Sequence, residues 1–112
     1  MKEEIRRAVA HAAVNRITGK SNSHIYSYAQ GHHSPFSGNG DGGYDHDSSA
    51  HVSSNGSGLY HHGVGSHIQL NTNGNSFSGY DHDSGHHFSG TVSGNSVQLY
   101  DHGEGKHYTY NA

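Results

Sequence analysis

Histidine dominates the reactive side chains of this sequence: 14 of its 112 residues are histidine, and none is cysteine. Imidazole nitrogens bind Zn²⁺, Cu²⁺ and Ni²⁺, so the first chemistry that these residues could do is metal binding. The candidate ligands stand at two positions that recur along the chain: His46, His51, His62, His67, His82, His87, His102 and His107.

The expected geometry of these histidines argues against a dedicated metal site. Side chains in a flat row across a sheet project in parallel, so they do not converge on the four-ligand tetrahedron that zinc prefers. We therefore expect that no cofactor is required and that Zn, Cu or Ni binds only adventitiously. The interpretation that we favour is a structural ladder of neutral imidazoles and tyrosine hydroxyls, joined as cross-strand aromatic pairs.

Catalysis and nucleic-acid binding find little support in the sequence. Serine, histidine and aspartate are abundant, but each repeat carries the same residues, whereas an enzyme singles out one set. The chain has no phosphate-binding loop, and most of its six Lys and Arg residues lie in one N-terminal segment. We therefore expect that the protein is not an enzyme and does not bind nucleic acid.

Protonation of the histidines would change the charge of the whole molecule. The formal net charge is -3 with neutral histidines, and protonating all 14 would make it +11. An unperturbed imidazole titrates near pH 6.5, so the charge changes sign in mildly acidic solution. We expect that acidification below about pH 6 loosens the sheet or its assembly, which circular dichroism and light scattering would detect.

A fixed spacing between tyrosine and histidine repeats five times. Each of five tyrosines is followed seven positions later by a histidine, and successive tyrosines are 16 to 20 residues apart. A constant interval at this period is typical of a repeated structural unit. The pairs are Tyr26 and His33, Tyr44 and His51, Tyr60 and His67, Tyr80 and His87, and Tyr100 and His107.

Short strands and turns fit the sequence from residue 24 onward, where Gly, Asn, Ser and Asp clusters separate short apolar or aromatic stretches. Side chains alternate faces along a strand, so hairpin pairing predicts which residues share a face. All thirteen apolar residues fall on one face: Ile25, Phe36, Val52, Leu59, Ile68, Leu70, Phe77, Phe88, Val92, Val97, Leu99, Tyr108 and Tyr110. The opposite face carries the histidines above and an assembly face of Tyr26, Tyr44, Tyr60, Tyr80, Tyr100 and His33.

The predicted strand register joins the histidines into one continuous row. Within a hairpin, we pair His102 with His107, and the other four hairpins follow by analogy. Between hairpins, pairing Thr91 with Gln98 sets His87 beside His102, and the analogous register sets His33 beside His46. The tyrosines then form a parallel row on alternate strands, about 10 Å apart.

The N-terminal segment, residues 1–20, is the one predicted helix, and residues 21–112 form the Tyr/His hairpin repeat domain. Ile5, Val9 and Ile17 recur at helical spacing, and Gly19 is a plausible stop. We expect this helix to dock on the apolar face of the sheet. Ten strands side by side would span about 45 to 50 Å, so a helix about 24 Å long could not cover the face alone.

The predicted fold is therefore mainly β: an antiparallel meander of about ten short strands, preceded by one amphipathic helix. A solenoid with two strands per turn is the architectural alternative. Because only 29% of the residues are hydrophobic, the core must be thin. The sheet must curl into a barrel, fold into a sandwich or be covered by a second copy.

The function that these features favour is structural: a self-assembling subunit of a homo-oligomer, filament or tube. The alternative is a glycan- or metal-binding β module that uses the Tyr/His face. The partners are then other copies of the chain or a polysaccharide. The sequence has no apolar run long enough for a membrane span and no secretory signal, which makes the cytoplasm the default compartment, with unconventional export left open.

Overall fold

One helix and ten strands make up the protein in a computed structural model, which describes residues 1–20, 22–37, 43–55 and 58–112. The helix α1 spans Glu3–Thr18, and Gly19 ends it in the left-handed conformation, with its N–H donating to the Asn15 carbonyl. The strands are β1 (His24–Ser27), β2 (His32–Ser37), β3 (Gly43–Asp45), β4 (Ala50–Asn55), β5 (Gly58–His61), β6 (Ser66–Asn73), β7 (Ser76–Asp81), β8 (His86–Ser93), β9 (Ser96–Asp101) and β10 (Lys106–Asn111).

The strands form a closed barrel. Each strand pairs antiparallel with its neighbours in the chain, and β1 pairs with β10 to close the ring. The predicted mainly-β meander behind one N-terminal helix is confirmed, and the solenoid alternative is wrong. Short connections are the physical reason: Gly74 and Asn75 alone join β6 to β7, and Gly94 and Asn95 alone join β8 to β9, which only antiparallel neighbours permit.

Helix α1 lies inside this barrel. Every residue from Ile5 to Asn15 is buried, so the helix is enclosed on all sides and not docked by one face. Ten strands about 4.8 Å apart and tilted by about 40° form a cylinder about 20 Å across, which leaves room for one helix. The small side chains of Ala8, Ala12 and Ala13 help the helix to fit that space. Rolling the sheet thus covers the wide apolar face that a flat sheet would have exposed.

The core lies between the helix and the inner wall of the barrel. Ile5, Val9 and Val14 of α1 belong to the same hydrophobic cluster as the strand residues. The thirteen apolar residues that alternation assigned to one face all belong to this wall, and none is more than 7% exposed: Ile25, Phe36, Val52, Leu59, Ile68, Leu70, Phe77, Phe88, Val92, Val97, Leu99, Tyr108 and Tyr110.

The strand register differs from the predicted one inside the hairpins by two residues. Tyr100, and not His102, pairs with His107, and the other four hairpins pair their tyrosine and histidine in the same way. The turn keeps four residues but begins one residue earlier than expected, at His102 in the last hairpin. This changes the pairing by two, which keeps every side chain on its predicted face. Between hairpins, Thr91 pairs with Gln98 as predicted. At the β2–β3 pair the predicted register is wrong by two residues. His46 was expected beside His33, but its N–H donates to the carbonyl of Pro35.

Each hairpin closes through a four-residue turn that is capped from inside the barrel. In the last repeat, the N–H of Gly105 donates to the Asp101 carbonyl, and the N–H of Gly103 donates to Asp101 Oδ1 at 3.0 Å. In the other four repeats, the side chain of the residue directly after the tyrosine likewise accepts a backbone N–H of its own turn. These five buried residues form the inner ring: Ser27, Asp45, His61, Asp81 and Asp101.

The last residue of each of these turns has a left-handed backbone. Four of the five are glycines with φ between 64° and 73°: Gly31, Gly65, Gly85 and Gly105. In the second repeat the position is occupied by Ser49, with φ of 55°. A residue with a Cβ is strained in this region, so Ser49 is a weak point of its turn.

Replacing this serine, Ser49→Gly, should stabilise the fold by up to about 1 kcal/mol, because relief of left-handed strain exceeds the extra backbone entropy of glycine. The reverse substitution in the fourth repeat, Gly85→Ser, should destabilise it by a similar amount. Urea denaturation measures both changes. A lower unfolding midpoint for the Ser49→Gly variant would contradict the assignment of strain to this turn.

Candidate functional site

Charged groups meet inside the barrel, where the start of α1 faces the inner ring. Arg7 donates from Nε to Asp45 Oδ2 at 2.9 Å, and its Nη2 lies 2.8 Å from the same oxygen. Both side chains are almost fully buried. The other oxygen of Asp45 accepts the N–H of Asp47 in the turn. One carboxylate therefore joins the helix to the end of the barrel.

Asp101 has the same double role on the other side of the helix. Its Oδ2 accepts a hydrogen bond from the amino group of Met1 at 3.1 Å, while its Oδ1 caps the turn. Arg6 lies between this carboxylate and Glu104, with Nη1 3.7 Å from Asp101 Oδ2 and 3.2 Å from Glu104 Oε1. The positive groups of the helix are thus matched by carboxylates of the turns.

His61 occupies the inner-ring position of the third repeat. Its Nδ1 accepts the N–H of Val64 at 3.2 Å, which places the imidazole proton on Nε2. That nitrogen is buried without a hydrogen-bond partner among the described residues. Burial lowers the pKa of His61 and outweighs the opposite effect of Glu4 and Asp45. His61 is therefore held neutral inside the barrel.

Tyrosine and histidine rings cover the turns from outside. The ring of Tyr80 lies 4.8 Å from His82, two residues along, and 4.8 Å from His87, its partner across the hairpin. The same arrangement, edge-to-face or tilted, surrounds Tyr44, Tyr60 and Tyr100. The first repeat departs from it, because Tyr28 replaces the histidine two residues after Tyr26. We call these groups the Tyr/His clusters.

These clusters replace the continuous ladders that the sequence predicted. The register shift pairs tyrosine with histidine inside each hairpin, so histidines are neighbours only between hairpins, as where His62 bonds to the backbone of His51. Serine hydroxyls on the preceding strand contact three of the imidazoles: Ser37 at His46, Ser53 at His62 and Ser89 at His102. The repeated residues are thereby engaged in local contacts around their turns.

The predicted metal ligands are distributed over four of these clusters: His46 and His51, His62 and His67, His82 and His87, and His102 and His107. Within the described ranges, no group of three or more His, Asp or Glu side chains is placed to hold a metal ion. Metal binding by pairs of these histidines stays a prediction.

A groove of about 600 Å³ crosses the outer surface from β6 to β10. Cross-strand pairing arranges most of its lining in two neighbouring rows. The first row contains Asn71, Ser78, Ser89, Tyr100 and His107. The second row contains Asn73, Ser76, Thr91 and Gln98. None of the lining residues, all in the described part of the chain, is Asp, Glu, Lys or Arg.

The centre of the groove is lined by residues with small side chains, which keep it open. Ser78 and Ser89 pair directly with each other at its centre, and Gly90 lies beside them. On the inner side of the wall, the ring of Phe77 lies against Gly90 and leaves no room for a Cβ there. The glycine thus lets a core aromatic ring approach the backbone directly beneath the groove.

Of the groove residues, Tyr100 and His107 were predicted on the Tyr/His face. The others were not predicted as a site, because their residue types do not recur in every repeat. Two signals in the sequence point to this region. The tyrosines at positions 60, 80 and 100 are each 20 residues apart, whereas earlier spacings are shorter. The extra residues make β6 and β8 the longest strands of the barrel, with eight residues each. Longer strands provide the extra surface on which the groove forms.

No protein-family model, curated protein or solved structure matches the chain. In the parts of the chain that the structure describes, no helix is both long and apolar enough to cross a membrane. A proposal for function must therefore rest on the chemistry of the groove and its surroundings.

Removing the inner carboxylate, Asp45→Asn, should destabilise the protein by about 3 kcal/mol, since the buried Arg7 then faces only the more distant carboxylate of Asp47, 4.0 Å away and 39% exposed. The matched control is Asp83→Asn, whose partner Lys2 is 3.7 Å away and 55% exposed. The control should lose less than about 1 kcal/mol. Urea denaturation compares the two variants, and equal losses would contradict a special role for the buried pair.

The substitution His61→Asn should make stability less sensitive to acid. Because the pKa of His61 is lower in the folded than in the unfolded protein, the unfolded state binds more protons as pH falls through the ordinary histidine range near 6.5. Stability is therefore lost on acidification, and asparagine removes that contribution while it can still accept the turn N–H. Thermal denaturation between about pH 8 and 5 measures the difference. If the melting temperatures of the two proteins fell equally with pH, His61 would not take up a proton on unfolding.

Proposed function

We propose that the protein is a carbohydrate-binding module, and that its outer groove binds a neutral oligosaccharide. The observation that carries this proposal is an open groove of about 600 Å³ lined by amides, hydroxyls and the rings of Phe77, Tyr100 and His107, without an Asp, Glu, Lys or Arg side chain. Its volume lies within the usual range of small-ligand sites.

The hydrogen-bonding groups of the groove suit a sugar. Asn71 and Gln98 each offer an amide that donates and accepts, and Ser78 and Thr91 offer hydroxyls that do both. Sugar hydroxyls also donate and accept, so they can match such a surface at many points. Tyr100 adds an apolar ring with a polar tip, next to His107 at the β10 end of the groove.

Other ligand classes fit less well. A phosphate or a nucleic-acid backbone calls for Arg or Lys, which the described lining lacks. A fatty ligand calls for exposed apolar surface, yet the large apolar side chain in the floor, Phe77, is only 2% exposed. Neutral hydroxyl-rich molecules remain the best match for the lining.

Self-association stays a prediction, but the closed barrel lacks two of the features that favoured it. The sheet is closed by the β1–β10 pair, so it offers no open edge to another copy in the described part of the chain. The apolar face surrounds α1 and needs no second chain to cover it. Light scattering on the purified protein would measure the oligomeric state.

Filling the groove should abolish sugar binding. The variant Ser89→Tyr places a large ring on the low floor, and affinity should fall at least about tenfold for any neutral glycan that binds the parent protein. Ser53→Tyr is the matched control, because Ser53 has the same histidine contact and the same tyrosine partner in another repeat, outside the groove.

The assay is a panel of neutral glycans followed by isothermal titration calorimetry of those that bind. The control variant should bind as the parent does. Absence of binding to every neutral glycan, or equal affinity in the parent and the Ser89→Tyr variant, would refute the proposal.

A further inference from the structure

We infer that the ligand is an extended chain of several sugar units and that Tyr28 is an aromatic platform for its far end. This inference rests on the proposed function, because it lengthens the same groove by one more binding position. Its evidence is the register at the seam of the barrel and the exposed tyrosine ring that occupies position 28, where the other repeats have histidine.

The seam places Tyr28 at the end of the second row of the groove. Thr109 of β10 pairs with Gln98 of β9, which belongs to that row. The N–H of Tyr28 donates to the Thr109 carbonyl at 3.1 Å, so the tyrosine is the next residue beyond Thr109. The row therefore runs from the groove onto β10 and ends on an aromatic ring.

Tyr28 differs from its counterparts in the other repeats. The corresponding position is a histidine elsewhere, as in His46 and His62, where a serine of the preceding strand contacts the imidazole. Both Tyr28, at 60%, and the histidines at the equivalent positions are exposed, but Tyr28 presents a large apolar ring where they present an imidazole. In the described ranges no other large hydrophobic side chain is exposed. An aromatic ring left in water is a candidate contact surface.

The ring of Tyr28 is also held in place. It meets the ring of Tyr26 edge-to-face, with centroids 5.0 Å apart and an angle of 81° between the planes. Tyr26 is itself packed against His33 at 4.6 Å. A ring supported in this way can stack on a sugar without first losing much conformational freedom.

The distance to be bridged sets the size of the ligand. Ser89 and Thr91 are on β8, and Tyr28 follows β1, which is three strand spacings away through β9 and β10. At about 4.8 Å for each spacing, the separation along the sheet is about 14 Å. One sugar ring cannot span it, whereas a chain of several units can. The chain must also be neutral to match the lining of the groove.

The test is isothermal titration of neutral β-linked gluco-oligosaccharides and of any other neutral series that binds, from disaccharide to hexasaccharide. Affinity of the parent protein should rise with chain length. The variant Tyr28→Ala should bind the short members normally and the long members between about three- and tenfold more weakly. Tyr28→Phe should bind like the parent, because it retains the stacking ring.

The matched control is His46→Ala, which truncates the equivalent residue of the second repeat. It should leave affinity unchanged at every chain length. Unchanged binding of long chains by Tyr28→Ala, or an equal loss for short and long chains, would overturn the role of Tyr28. If the Ser89→Tyr variant still loses binding in that case, the groove is the sugar-binding site and Tyr28 is not part of it. If no neutral series binds the parent protein, the proposed function and this inference both fail.

Discussion

The structure depends on the pairing of the arginines of α1 with aspartates of the barrel wall. A ten-stranded barrel has a lumen too wide for strand side chains alone, and the helix fills it. The helix also brings Arg6 and Arg7 into the interior, where an unpaired charge would cost several kcal/mol. Asp45 supplies the counter-charge of Arg7, whereas Asp101 shares that of Arg6 with Glu3 and Glu104. The second oxygens of the two aspartates cap the turns. Helix position and barrel closure are thus coupled through the same carboxylates.

The repeated residues serve the turns on both sides of the wall. Inside, the residue after each tyrosine caps the turn; outside, the tyrosine and its aromatic neighbours cover it. The repetition along the chain is explained by five copies of one turn, without an active site in each. Distinctive chemistry is then expected where the copies differ, and the outer groove and Tyr28 both lie at such differences.

Much of the fold followed from local patterns, since side chains alternate along a strand and Gly19 ends a helix. Alternation along the strands also points Asp45, Asp81 and Asp101 inward, but it does not reveal their partners on the helix, because helix and strands are far apart in sequence. The pairing inside the hairpins was wrong by two residues, because moving a four-residue turn by one position changes the register by two without changing the face. The sequence assigned Tyr100 and His107 to the Tyr/His face, but not the groove around them, because the groove forms from residues of five strands.

The sequence by itself determined the elements, the buried face and the antiparallel order of the strands, because these depend on residue alternation and on short connections. Only the tertiary structure decided that the sheet closes around the helix, with Arg7 held by Asp45 and Tyr28 placed beside Thr109. The tyrosine-to-histidine interval is compatible with a flat sheet, a sandwich or a barrel. Closure depends on how ten strands, one helix and their buried charges fill a common interior, which no local pattern encodes.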